Sequence, residues 1–330
     1  MNRREFLDAT LALMAAPGLA GAAAPAASQV QTVSRRKLGR TGQEVSCIGL
    51  GGFHIGTQKD AAESVQLIRR ALDGGITFLD NCWDYNDGQS EVRMGQALRD
   101  GYRAKAFLMT KLDGRDRKTA AKQLDESLKR LQTDHVDLLQ LHEVIHANDP
   151  ERAFAKGGAM EAMVEAQKAG KARFLGFTGH KSPALHLKML EAAKQHGFRF
   201  DAVQLPLNVM DAHYDSFEKQ VLPVLVREGI GVLGMKPMGD PFILDSKTVT
   251  APECLRYSLS LPVSVVITGI DSQERLEQAL SVARGFKPLS EAQVKGLLAK
   301  TQQAAKDGAF EKYKTSHHFD GTVKNPEWLG

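Results

Sequence analysis

Val45-Ser46-Cys47-Ile48-Gly49-Leu50-Gly51 is a short apolar run. It is followed by residues 61–73, with Val65, Leu67, Ile68 and Leu72 mainly on one side, and then by Thr77-Phe78-Leu79-Asp80. The first and third stretches read as strands and the second as an amphipathic helix that stops at Gly74-Gly75. The alternation repeats down the chain. Further strands are expected over residues 106–110, 136–141, 174–178, 202–204, 231–235 and 265–268. Helical patterns lie near residues 91–98, 119–131, 159–169, 183–196, 217–227, 251–261 and 272–283. Near-continuous apolar strands, each separated by a helix, call for parallel pairing with both faces of the sheet covered.

Eight such strands close economically into an α/β (β/α)8 TIM barrel, with a polar N-terminal hairpin ahead of it and a C-terminal extension behind. The rival is an open doubly wound sheet. It calls for a G-x-G-x-x-G turn after the first strand, which Gly49-Leu50-Gly51-Gly52-Phe53-His54 does not supply. The 330 residues are 42% apolar and 25% charged, with a net charge of +4 and a mean hydropathy of −0.28. These values exclude collagen-like, disordered and multi-span membrane chains. The basic residues are dispersed, so nothing suggests a nucleic-acid footprint. Cys47, Cys82 and Cys254 form neither a disulfide framework nor a CxxC pair.

Arg3-Arg4, followed by the small-residue stretch of residues 9–24, reads as a twin-arginine export signal. The expected division is therefore a signal over residues 1–27 and a barrel over 28–330. The run is too poor in Leu, Ile and Phe for a stable membrane span. The twin-arginine machinery is the partner this implies and the periplasm the destination, with the cytoplasm as the alternative.

In a barrel the chemistry gathers where strands end. Asp80 closes the second strand, Tyr85 lies in the following loop, Lys111 follows the third strand and His142 the fourth. Singly, each has a plain reading as a cap, a packing residue or a solvated loop residue. Together they resemble the aldo-keto reductase superfamily, over nearly all of residues 34–330. The opening Arg36-Lys37-Leu38-Gly39-Arg40-Thr41-Gly42 is similar to that superfamily's hairpin. Phe78-Leu79-Asp80 through Tyr85, with Ser90-Glu91 and Gly95, is similar to its first signature. Leu141-His142, and Gly170-Lys171-Ala172-Arg173 leading to Gly176-Phe177-Thr178, match two more.

The resemblance implies a catalytic tetrad of Asp80, Tyr85, Lys111 and His142. The chemistry agrees with it. Reducing a carbonyl by hydride transfer creates an alkoxide, which needs a proton donor and fixed dipoles beside it. Tyr85 is the donor, Lys111 is expected to lower the phenol's pKa, Asp80 orients the lysine and His142 holds the carbonyl. No metal is needed.

The resemblance further implies a nicotinamide dinucleotide lying across the barrel mouth. Thr178 and Gln204 would hold its carboxamide, and Met235 stands where many relatives stack a tyrosine. Lys236 would face the pyrophosphate, and Ser272 and Arg275 the 2′-phosphate, so NADP(H) is expected while NAD(H) stays open. Gly179 stands where many relatives have Asn, a contact His180 could replace, and Asn208 could line the site. Arg275 could instead pair with Glu274 or Glu277. Trp83 is the expected substrate-pocket residue, joined by Tyr313, His317, His318, Phe319 and Trp328 of the tail; Cys82 is expected to be a buried inert thiol. The function implied is reduction of small aldehydes or ketones. The alternative is a cofactor-binding sensor on the same barrel.

Overall fold

The computed structural model describes residues 32–330. Residues 1–27, where an export signal is expected, lie outside the described residues. A two-stranded antiparallel hairpin, β1 (Arg35–Lys37) and β2 (Glu44–Ser46), comes first. Eight parallel strands follow: β3 (Ile48–Gly51), β4 (Phe78–Leu79), β5 (Phe107–Leu112), β6 (Val136–Leu141), β7 (Ala172–Thr178), β8 (Ala202–Pro206), β9 (Gly231–Met235) and β10 (Val265–Gly269). They pair in chain order, and β10 returns to β3 to close the barrel.

The run from Val45 to Gly51 is thus two strands rather than one. Ser46 makes the break: its hydroxyl donates to the carbonyl of Ile48 at 2.7 Å and accepts from the backbone of Thr77 at 2.9 Å and Phe78 at 3.2 Å, turning the chain from hairpin into barrel. The pattern over residues 217–227 also divides, into Phe217–Gln220 and Leu222–Arg227. Pro223 has no N–H for a continuous ladder. β5 runs two residues past its expected end, so Lys111 lies within the strand.

Every residue of β5 and β6 is buried, yet alternation still sorts the side chains. Phe107 and Met109 pack inside the barrel with Phe78, Leu138, Ala202, Leu233 and Val265, while Leu108, Leu112, Leu139 and Leu141 join the helix layer. Leu38 and Val45 of the hairpin join that inner cluster and plug the barrel's base. Burying one such leucine contributes roughly 1.5–3 kcal/mol. With the lower barrel filled by hydrocarbon, the same inward rows deliver Asp80, Lys111, His142, Thr178, Gln204 and Met235 to the other end. Among the described residues no helix is long and apolar enough to cross a membrane.

The tail after the Glu291–Thr301 helix is a series of short turns fastened by buried charge. Lys314 pairs with Asp211 at 2.6 Å and with Glu311 at 2.9 Å. Asp320 accepts from His180 at 2.9 Å, Lys181 at 2.7 Å and His317 at 2.7 Å. Glu143, next to His142, accepts from the backbone of Gly321 at 2.9 Å and of Thr322 at 2.8 Å.

Candidate active site

Lys111 is completely buried and its ammonium has three N–H groups to place. They go to Asp80 Oδ1 at 2.5 Å, the carbonyl of Asn81 at 2.7 Å and the phenol oxygen of Tyr85 at 3.2 Å. A lysine only donates, so Tyr85 accepts from it and keeps its own O–H for another acceptor. Burial opposes the charge on Lys111, but Asp80, together with smaller contributions from its other neighbours, outweighs it and the ammonium's pKa is raised.

Tyr85 is partly exposed. Its ring stands edge-to-face against Phe53, with centroids 5.6 Å apart, and against His142 at 5.8 Å. Its loop is set by left-handed backbone at Asn86, Asp87 and Gly88 and by Asn86 Nδ2 donating to the carbonyl of Phe53 at 2.8 Å. Gly52 lets the loop approach, because a Cβ there would lie 2.3 Å from the carbonyl oxygen of Asp80. The expected lowering of the phenol's pKa does not occur. Burial, then the charges of Asp80 and Asp84, push Tyr85 well above the usual phenol value, so Lys111 orients the hydroxyl without ionising it.

His142 turns Nδ1 toward Asp113 Oδ1 at 2.9 Å, Cys82 Sγ at 3.2 Å and Asp84 Oδ1 at 3.5 Å. Burial lowers its pKa, but Asp113 and Asp84 more than offset this and the net shift is upward. Burial also raises the Cys82 thiol well above its ordinary range, which keeps it protonated. Behind this group lies Arg115, completely buried. Its guanidinium donates to Asp149 Oδ1 at 2.8 Å and to the carbonyls of Asp113 at 2.5 Å, His142 at 2.7 Å and Glu143 at 2.9 Å. Asp113, Asp84 and Arg115 escaped the sequence reading, although Asp113 follows Lys111 by two residues and continues its inward row.

At the expected cofactor side, Thr178 Oγ1 lies 3.9 Å from Met235 Sδ. Gln204 Oε1 and Thr268 Oγ1 are buried and accept or donate no hydrogen bond. The orphaned acceptor of Gln204, on the inward row of β8, fits a ligand that brings N–H groups, as a carboxamide does, whereas Thr268 lies on the outward row of β10. Gly179 leaves no room for a side chain, because a Cβ would sit 2.5 Å from the carbonyl of Val144 and 2.9 Å from the ring of His186. His180 is no substitute, being held by Asp320. Asn208 is also engaged, donating to the carbonyl of Lys236 at 3.1 Å and to the Tyr313 hydroxyl at 2.7 Å.

Lys236 extends over the Phe319 ring at 4.0 Å, and burial lowers its pKa to about 8. Ser272 caps the Gln273–Ala283 helix, accepting from the backbone of Arg275. Arg275 pairs with Asp271 rather than Glu274 or Glu277. Trp83 donates to Glu126 at 2.7 Å and meets Trp328 edge-to-face at 5.8 Å, so its indole stands between a barrel helix and the tail. Of the other tail residues expected in the wall, Tyr313 is completely buried, while Phe319 and His318 pack on Phe242.

His186, under Gln204, predicts an acid sensitivity. Its ring is buried between Phe177 and Phe217 and its pKa is lowered by burial to about 4. An unfolded histidine takes a proton near pH 6.5, so stability is full above that value and falls as pH drops toward 4, by about 3 kcal/mol. Urea unfolding at pH 7 and pH 4.5, with and without His186→Gln, measures it: the variant should lose this part of the slope.

Known proteins share this layout. The sequence pattern of the Aldo/keto reductase family matches residues 47–301. The chain belongs to that family. The aldo-keto reductase AMT2 of Alternaria alternata is 27% identical over 244 residues, covering 62% of this chain and 64% of that protein. Aldo-keto reductase YhdN of Bacillus subtilis is 33% identical over 196 residues, covering 55% and 54%. The chain thus spans between about half and two thirds of the length of these curated relatives. In fold, this family member superposes on aldo-keto reductase AKR11C1 from Bacillus halodurans, in its holo form, with a TM-score of 0.70 over 84% of this chain and 100% of that one, at 20% identity. Thermostable aldo-keto reductase Tm1743, solved with the inhibitor epalrestat, gives a TM-score of 0.65 at 25% identity, over 81% and 99%.

Proposed function

We propose that the protein reduces small aldehydes or ketones to alcohols with NADP(H), Tyr85 giving the proton. The observation that carries this reading is the Asp80–Lys111–Tyr85 chain of hydrogen bonds, which leaves one phenolic proton free beside His142. When bound, a reduced nicotinamide supplies the hydride. The protein's residues do the rest. Asp80 holds the ammonium of Lys111; Lys111 fixes the lone pair of Tyr85 it points at; the Tyr85 O–H is thereby aimed at the substrate oxygen. His142 offers the second contact to that oxygen. As negative charge builds there, the oxygen becomes a far stronger base than a phenolate, and the proton moves downhill even from an unusually weak acid.

Thr178 and Gln204, on the inward rows of β7 and β8, would hold the carboxamide, Met235 would give the ring a polarizable surface, and Ser272 and Arg275 would form the end of the site facing the 2′-phosphate. NADPH consumption against a panel of aldehydes and ketones tests the reading. Tight nucleotide binding with no turnover of any carbonyl would replace it with the sensor alternative. Arg275→Ala should weaken NADPH about tenfold and leave NADH unchanged, since a charge-assisted hydrogen bond contributes roughly 1.5–3 kcal/mol. Calorimetric titration of both nucleotides checks this, and equal losses for both would remove the 2′-phosphate role.

From Arg3-Arg4 we take the protein to be exported folded, through the twin-arginine machinery to the periplasm, carrying its nucleotide with it. Nucleotide found by mass analysis in protein recovered from the periplasm supports this. Residence in the cytoplasm cancels it.

A further inference from the structure

The environment of His142 Nδ1 says more than the tetrad requires. Three groups face this one nitrogen: Asp113 Oδ1, Cys82 Sγ and Asp84 Oδ1. Asp113 and Cys82 are completely buried or nearly so. The thiol, kept neutral, has the carbonyl of Lys111 at 3.6 Å to receive its S–H, which turns a sulfur lone pair toward the imidazole. Asp113 Oδ1, the nearest of the three at 2.9 Å, is an acceptor and calls for a proton on Nδ1. A neutral imidazole has only one, and its Nε2 would then present a lone pair to a carbonyl oxygen that is itself an acceptor. The contact the proposed reaction needs from His142 is impossible in that tautomer.

We propose that Asp113, seconded by Asp84, is a positioning residue that keeps His142 doubly protonated, so that Nε2–H meets the substrate's carbonyl oxygen as a charged donor. The proposal rests on the carbonyl-reduction reading above and deepens it. A charged hydrogen bond is roughly twice as strong as a neutral one, and it strengthens as the oxygen gains negative charge. The surroundings agree. Asp113 Oδ2 and Asp84 Oδ1 make no hydrogen bond within the protein, and among the described residues His142 is the one ion-pair partner of both side chains. Glu143 is the remaining acidic neighbour, its carboxylate tied to Gly321 and Thr322. The opposing cations are directed elsewhere, Lys111 to Asp80 and Arg115 to Asp149 and backbone carbonyls. Tyr85, the last titratable neighbour, is a neutral phenol whose ring stands edge-to-face to the imidazole. Asp84 is itself pushed up to about 7, by burial and by Asp113, so above neutrality it adds a second negative charge and reinforces the imidazolium.

Two measurements on the full chain test this. The first is the pH dependence of kcat/KM for aldehyde reduction, in the wild type and in Asp113→Asn. The wild type should hold its rate well above pH 6.5. In Asp113→Asn the basic limb should fall to or below the ordinary histidine value of about 6.5, a loss of roughly thirtyfold at pH 8 that shrinks toward none near pH 5.5. Asp113→Glu should recover most of the rate at pH 8. A merely structural role for Asp113 would lower the rate by one factor at every pH, which would overturn the proposal. The second measurement is nitrogen-15 NMR of the histidine rings, with His142→Gln giving the assignment. Both nitrogens of His142 should remain protonated past pH 7.5, and the Asn variant should lose that state. A wild-type His142 that titrates at or below about 6.5 would overturn the proposal even if reduction proceeds. The NMR result stands even if no carbonyl is turned over, so it fails separately from the proposed function. A stoichiometric divalent cation in the purified protein would also overturn it, because the donor atoms of Cys82, Asp84, Asp113 and His142 lie within 4.8 Å of one another and a cation there would take Nδ1 from the proton.

Discussion

Tyr85→Phe should lower kcat for aldehyde reduction by about 10²–10⁴-fold, the usual contribution of a positioned proton donor, while nucleotide affinity changes little. The substitution removes one oxygen. The ring keeps its packing on Phe53 and His142, and Asp80 and Lys111 keep their ion pair. It also leaves one buried N–H of Lys111 without an acceptor, at a cost of roughly 1–3 kcal/mol. A thermal melt must therefore accompany the kinetics. The expected result is a folded, slightly less stable protein that still binds nucleotide and hardly turns over. Equal rates for the two proteins would take Tyr85 out of its assigned role.

Arg115→Met should produce the largest loss of stability, about 3–5 kcal/mol, as when one partner of a buried ion pair is removed. Asp149 would stay behind as a buried charge, and the carbonyls of Asp113, His142 and Glu143 would lose their donor. Asp149 cannot simply take up a proton without penalty, because its other oxygen accepts from the backbone of Ile145 and His146, both at 2.9 Å. Arg115→Lys restores the charge but not the planar fork that reaches several acceptors at once, and should recover only part of the loss. Denaturant unfolding of the three proteins at pH 7 measures it, and a change below about 1 kcal/mol for the methionine variant would show that the site does not depend on Arg115.

The repeating units of the barrel are legible because short near-continuous apolar runs alternate with longer runs of helical spacing. Boundaries are less so. The break at Ser46 depends on a hydroxyl that bonds across 31 residues to Thr77, and nothing in the local spacing of residues 45–51 announces it. The tetrad positions are readable from motif and strand end alike, and Lys111 with Tyr85 and Asp80 are joined in space as expected. Protonation is not readable in this way. A lysine beside a phenol suggests a lowered pKa, whereas burial and carboxylates from three positions reverse the sign. Nothing in the local spacing of Asp84 or Asp113 sets either apart from an aspartate that caps a helix. Asp116 does serve that purpose, accepting from the backbone of Thr119. Only the closed barrel shows that Asp113 points inward instead. Gly179, Asn208 and Tyr313 teach the same lesson from the other side: their roles are decided by neighbours distant in sequence.

The reluctance of Tyr85 to ionise has a consequence for direction. In the proposed reaction, oxidising an alcohol would require a base where burial and the neighbouring carboxylates favour the neutral phenol, so the reverse direction is expected to be slow at neutral pH. The equilibrium between alcohol and carbonyl is untouched. What should shift is the acidity of the medium in which each direction runs at an appreciable speed, with alcohol oxidation favoured by alkaline conditions.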